Sequence, residues 1–240
     1  MTTSFVNQII GTRKKQQDSV KVLEKNRAAF AVLCDGMGGY AHGKECSSVA
    51  CEKLSELFFA NDFPVSNAEK LKTAVYETNS IVSEMYPNEI SGTTLVSVIL
   101  CNEKADWISA GDSHIYTFSK DKGLKQLNED HTYGAKLDKA AECGFIDKEI
   151  ARTHFQREAI TSFIGIDELT EISSGEFAVN SCDAVILCSD GVFKTLNETE
   201  ITECFESSDI SSWADNIMKA VEAKQKPSQD NASIIILSTK

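Results

Sequence analysis

Aspartates stand repeatedly at the ends of apolar runs in this chain, and that recurrence constrains it more than any single motif. The stretch Ala28–Gly39, AAFAVLCDGMGG, runs seven mostly apolar residues into Asp35 and then into a glycine-rich turn. Such a run suits a buried strand with Asp35 at its carboxyl end and glycines allowing close approach to the backbone. One Asp-Gly turn is common punctuation. Here the pattern recurs: Ser189-Asp190-Gly191 follows AVILC, Asp230-Asn231 precedes ASIIIL, and Asp112 lies in AGDSH between two strand-like segments. Several carboxylates at strand edges point to one shared divalent-metal site.

Composition narrows the function classes. The 240 residues are 42% hydrophobic and 25% charged, which suits a globular chain able to bury a substantial core. A formal charge of -12 argues against a nucleic-acid binder, which needs a phosphate-neutralising surface. No run reaches the roughly 18 apolar residues of a membrane span, and the start lacks the order of a secretory signal. The eight cysteines form no C-x-x-C pair, and Cys34, Cys101 and Cys188 sit in strand-like runs, so they read as buried free thiols. The expected location is the cytoplasm.

Periodicity alternates between sheet and helix along the chain. Residues 3–10, a short segment near 19–23 and 28–34 read as strands, the last two as an antiparallel hairpin. Residues 43–60 and 68–85 read as helices, with Leu71, Val75, Thr78 and Val82 on one face of the second, whose start at Ser66 resembles a capping box. TTLVSVILC is a central strand, and ADWISAGD and SHIYTF follow through connections too short for crossover helices, so this region should be antiparallel. Residues 134–166 are less regular, with short helices near 136–143 and 147–153, and read as a mobile flap or a surface insertion. FAVNSCDAVILCSDG gives two more strands, residues 196–205 and 210–223 two helices, and NASIIIL the closing strand. With no repeat or interdomain linker, the order fits a single domain, residues 1–240, of layered sheets with helices outside.

Carboxylates and backbone carbonyls are hard ligands suited to Mg²⁺ or Mn²⁺, and the lack of a Cys/His cluster disfavours structural zinc. Two such ions can acidify one water and stabilise charge developing on a phosphoryl group. Asp35, Asp190 and Asp230 form the best ligand set, with the Gly36 carbonyl beside them. Arg13 has the planar fork that clamps phosphate oxygens, although from the residues alone the better reading is one more exposed charge beside Lys14 and Lys15.

In order, GTRKKQQDS, VLCDGMGG, SGTTL, AGDSHIY, LNEDHT, ITSFIGI, ILCSDGV and DNASIIIL resemble the motifs of the bacterial-type metal-dependent serine/threonine protein phosphatases of the PP2C (PPM) family. The resemblance covers almost the whole chain. It implies an α+β fold, a four-layer α-β-β-α sandwich of two central, mostly antiparallel sheets flanked by helices, with two Mn²⁺ or Mg²⁺ ions at one end. It implies that Arg13 binds substrate phosphate, that Asp35 bridges both ions with the Gly36 carbonyl beside it, and that Asp190 and Asp230 complete direct coordination. Asp18 matches a residue that supports coordination through water, and Asp112 one associated with a weaker third ion. The implied reaction is hydrolysis of phosphoserine and phosphothreonine in proteins by direct attack of a metal-activated water, opposing a cognate serine/threonine kinase. The implied flap spans about 132–160, and the expected assembly is a monomer.

Three positions depart from the family pattern. Gln17 stands where a carboxylate orders metal-bound water, and keeps an acceptor oxygen without the charge. Met37 stands where eukaryotic relatives have a histidine, as in bacterial members, and His114 replaces an arginine. His131 and His154 read as structural or flap residues rather than proton donors. Tyr40 and His42 either line the entrance or cap the following helix, and Gly39 permits a close approach at the site. Gln17 also motivates a phosphatase-like phosphopeptide-binding or regulatory module, and a small-molecule phosphatase is a third class.

Overall fold

Strands buried on both faces organise the molecule. The computed structural model describes residues 2–25, 27–37, 42–60, 68–87, 89–206 and 209–239. Ser66, Gly39 and Tyr40, singled out from the sequence, lie outside them. Strand β1 (Ser4–Ile9) is followed by the hairpin β2 (Asp18–Lys25) and β3 (Ala28–Asp35), then helices α1 (Gly43–Ala60) and α2 (Ala68–Met85). Four strands come next: β4 (Leu95–Cys101), β5 (Lys104–Ala110), β6 (His114–Ser119) and β7 (Gly123–Gln126). Helices α3 (Tyr133–Glu142) and α4 (Lys148–Thr153) precede β8 (Ser173–Ala178) and β9 (Ala184–Cys188). The chain closes with α5 (Asp190–Phe193), α6 (Glu198–Glu206), α7 (Trp213–Ala223) and β10 (Ala232–Ser238).

Two five-stranded sheets result, ordered β2-β3-β4-β5-β8 and β1-β10-β9-β6-β7. Every strand pairing within them is antiparallel. Alternation along β3 explains its unbroken apolar run. Phe30, Val32 and Cys34 pack outward with the buried faces of α1 and α2, while Ala29, Ala31 and Leu33 pack inward against the other sheet. β10 does the same, with Ile234 and Ile236 beside α7 residues and Ile235 and Leu237 between the sheets. The layers are therefore helix, sheet, sheet, helix, the expected four-layer α+β sandwich.

The region from β4 to β7 is antiparallel as expected. Its strands divide between the sheets: β5 lies in the first and β6 in the second, so the link at Gly111–Ser113 crosses the sandwich. Other element bounds differ from expectation. β2 is longer than the segment near 19–23, because its pairing with β3 runs from Asp18↔Asp35 to Lys25↔Ala28. Strand β7 and the short helix α5 had no periodic signal, being only four residues each. The helices expected over 196–205 and 210–223 begin later, at Glu198 and Trp213, the second after a 3₁₀ turn over Ile210–Ser212.

Candidate active site

One end of the sandwich gathers the ends of β1, β3 and β9 and the starts of β2, β6 and β10. Antiparallel register sets Asp18 directly opposite Asp35. The Asp35 backbone is fixed on its other side: its N–H donates to Thr94 Oγ1 at 3.0 Å, and its carbonyl accepts from Thr94 N–H and Thr93 Oγ1, both at 2.8 Å. Thr94 Oγ1 is itself tied to Ser113 Oγ at 2.7 Å, so the hydroxyl ladder joins Asp35 to the sheet-crossing link.

Asp18 is almost fully enclosed, 2% exposed. Its Oδ2 accepts from Ser189 Oγ at 2.9 Å and Ser233 Oγ at 2.5 Å, whereas its Oδ1 is buried with no donor. A proton shared with the adjacent Asp35 carboxyl, or a cation, can satisfy that oxygen. Burial raises both acids: Asp18 is pushed up to about 6, and Asp35 is held well above the ordinary carboxylate range by desolvation and by the neighbouring Asp18, Asp190 and Asp112. Burial also raises Asp112, against the pull of Lys194.

The Asp190 and Asp230 turns meet because Gly191 lacks a side chain; a Cβ there would lie 2.0 Å from the Asn231 carbonyl oxygen. Asn231 then stitches the Arg13 loop to β10. Its Oδ1 accepts from Gln17 N–H at 2.8 Å, and its Nδ2 donates to the carbonyls of Ile10 and Lys15 at 2.9 and 3.1 Å. Gln17 serves through its backbone, its carbonyl accepting from Gly36 N–H and Ser47 Oγ. Arg13 Nη2 lies 2.6 Å from Asp230 Oδ2.

Asp35, Gly36, Asp112, Asp190 and Asp230 line one cleft of about 340 Å³, with Glu158, Ala159, Ile160 and Phe163 on the side of the α3–α4 segment. A larger depression of about 660 Å³ lies at the opposite strand ends, around Lys25, Arg27 and Asn102, and gathers no comparable set of acids. Lys194 enters the acidic cleft, its Nζ 2.9 Å from Asp190 Oδ2 and 3.2 Å from Asp112 Oδ2. Burial opposes its charge, but these two carboxylates hold its pKa above the ordinary lysine value.

Among the described residues, no group of three or more His, Cys, Asp or Glu side chains stands close enough to hold a metal ion by itself. Lys194 and Arg13 are the positive charges that Asp112, Asp190 and Asp230 face in this geometry. The donor chemistry nevertheless fits a hard divalent ion: carboxylate and carbonyl oxygens from separate strand ends share one cleft, with the partnerless Asp18 oxygen behind it.

The histidines stand apart from this chemistry. His131 is buried, accepting the Gly111 N–H on Nδ1 at 3.1 Å and meeting Ser173 Oγ through Nε2 at 2.9 Å. His114 stacks on Phe193 and hydrogen-bonds Tyr116 and Asp130. His154 stacks on Phe155 at the end of α4, and His42 on Tyr86. Met37 lines the cleft.

Sequence reasoning missed Ser189, Ser233, Asn231 and Lys194 as parts of the site. Ser189 and Asn231 adjoin the motif aspartates and Lys194 stands four residues after Asp190, whereas Ser233 left no local signal.

Residues 9–232 match the sequence profile of the family described as protein phosphatase 2C. The chain is 28% identical over 236 residues to the serine/threonine phosphatase stp of Listeria innocua, covering 94% of this chain and 90% of that protein. It is 30% identical over 237 residues to a putative protein phosphatase of Mycoplasma pneumoniae, covering 92% and 87%. Among solved structures, a bacterial serine phosphatase superposes with a TM-score of 0.88 at 22% identity, covering 100% of this chain and 98% of that one. The serine/threonine phosphatase Stp1 of Staphylococcus aureus gives 0.84 at 24% identity, covering 99% and 95%.

Proposed function

Because this chain belongs to the protein phosphatase 2C family, we propose that its acidic cleft hydrolyses phosphoserine and phosphothreonine in proteins with two Mn²⁺ or Mg²⁺ ions, opposing a serine/threonine kinase. The observation that supports this best is the arrival of Asp35, Asp190 and Asp230 from separate strand ends in one cleft, with Arg13 beside them. The ions, held by those three carboxylates and the Gly36 carbonyl, would acidify water and offset charge gathering on the phosphoryl oxygens.

This chain's own residues account for the rest. The Thr93 and Thr94 bonds fix the Asp35 backbone, so its carboxylate need not reorganise during the reaction. Asp18 supports from behind, oriented by Ser189 and Ser233. Arg13 is exposed and reaches Asp230 across the mouth, where its fork can exchange that carboxylate for two phosphate oxygens. Ile160 and Phe163 give one wall an apolar surface beside the reacting group. The segment over 132–160 then acts as a flap of one domain, and the protein works as a cytoplasmic monomer. No helix among the described residues is long and apolar enough to cross a membrane.

Phosphate release from a phosphothreonine peptide tests the reading. Mn²⁺ should support turnover and EDTA abolish it. Both D35N and D190N should fall by more than the roughly 10–100-fold that a supporting residue costs. Undiminished turnover in the two variants would overturn the mechanism.

A further inference from the structure

The cleft contains a cation of its own. Asp112 and Asp190 aim carboxylates at a common point, and Lys194 Nζ occupies it, 3.2 and 2.9 Å from their Oδ2 atoms. Glu158 Oε2 completes the set at 3.4 Å. An ammonium has three N–H donors, and here three carboxylates face it. The Asp112 side chain is only 6% exposed, so removing its counter-charge would strand a buried anion.

Lys194 is also held in place by its main chain. Its N–H donates to the Asp190 carbonyl at 2.9 Å, and its own carbonyl accepts from Lys226 Nζ at 2.5 Å. A divalent ion coordinated by both Asp112 and Asp190 would stand close to this ammonium, where like charges repel strongly. Ion and ammonium therefore compete for the same pair of carboxylates.

We propose that Lys194 is the resident cation of the Asp112–Asp190 pair, positioning both carboxylates and excluding a metal ion from between them. This rests on the cleft reading given above, and confines metal binding to the side formed by Asp35, Asp190 and Asp230. Lys194 is thus a positioning residue that sets how many ions the site takes.

Mn²⁺ stoichiometry by equilibrium dialysis, with calorimetry alongside, tests this on the full chain. K194M should take up one more ion per chain than wild type. K194R, which keeps the charge, should match wild type, and K194M combined with D112N should return to the wild-type number. K194Q makes the same prediction should K194M not fold. Equal stoichiometry in wild type and the two uncharged variants overturns the proposal. So does an extra ion in K194M that survives D112N. A wild type that binds no Mn²⁺, with one ion gained in K194M, would sustain this role for Lys194 and sink the two-ion reading of the cleft.

Discussion

Asp35 shows what a site residue costs its own fold. Its half-buried carboxyl stands beside the buried Asp18, and both acids are raised, Asp18 to about 6. A carboxyl whose folded pKa exceeds its unfolded value binds protons more tightly in the folded state. The stability it contributes is fully present below the unfolded range near pH 4, and is lost as pH rises through the folded pKa. In the presence of chelator, the wild type should therefore melt lower at about pH 8 than at about pH 5. D35N should narrow that difference by raising the pH 8 melting temperature, roughly 2–4 °C for each kcal/mol recovered in a chain of this size. Thermal melts at the two pH values check it. The same substitution should remove turnover, so stability and activity move in opposite directions. A purely structural Asp35 would lose both.

At the scale of elements, the link between β5 and β6 joins the two sheets while presenting Asp112 to the cleft. A tight link normally pairs its neighbours as a hairpin. Gly111 defeats that rule. Its φ of +104° turns the chain out of the first sheet, and a Cβ there would meet Thr94 at 2.7 Å. Thr94 is the residue whose hydroxyl receives the Asp35 N–H, and His131 accepts the Gly111 N–H. G111A should accordingly destabilise by about 1–3 kcal/mol and lower turnover through both Asp35 and Asp112. Denaturant unfolding and phosphate release measure the two effects. Helices α1 and α2 were legible because each runs 18 residues with an apolar face. β7 and α5 were not, since a four-residue element completes too few periods to show one.

Across the whole molecule, the inter-sheet layer holds the two halves of the site in register. Asp18, Asp35 and Asp112 depend on the first sheet or its link, Asp190 and Asp230 on the second. Leu33, Leu187 and Ile235 fill the space between them and are fully buried. L187A should cost about 2–5 kcal/mol of stability, while turnover per folded molecule stays near wild type at low temperature. Chemical unfolding paired with active-site titration checks that separation. The sequence by itself determined which residues could be ligands and which strands are buried on both faces, because apolar runs ending in Asp-Gly and Asp-Asn are local patterns. It also determined the family, since those patterns occur in a specific order. Tertiary structure decided which sheet each strand joins, which hydroxyls hold Asp18, and where Lys194 places its charge. Those outcomes depend on contacts between residues as far apart as Asp18 and Ser233, and on Lys194 reaching Asp112 from the end of α5. The recurrent aspartates are local; the cleft they form is made by closing two sheets on one another.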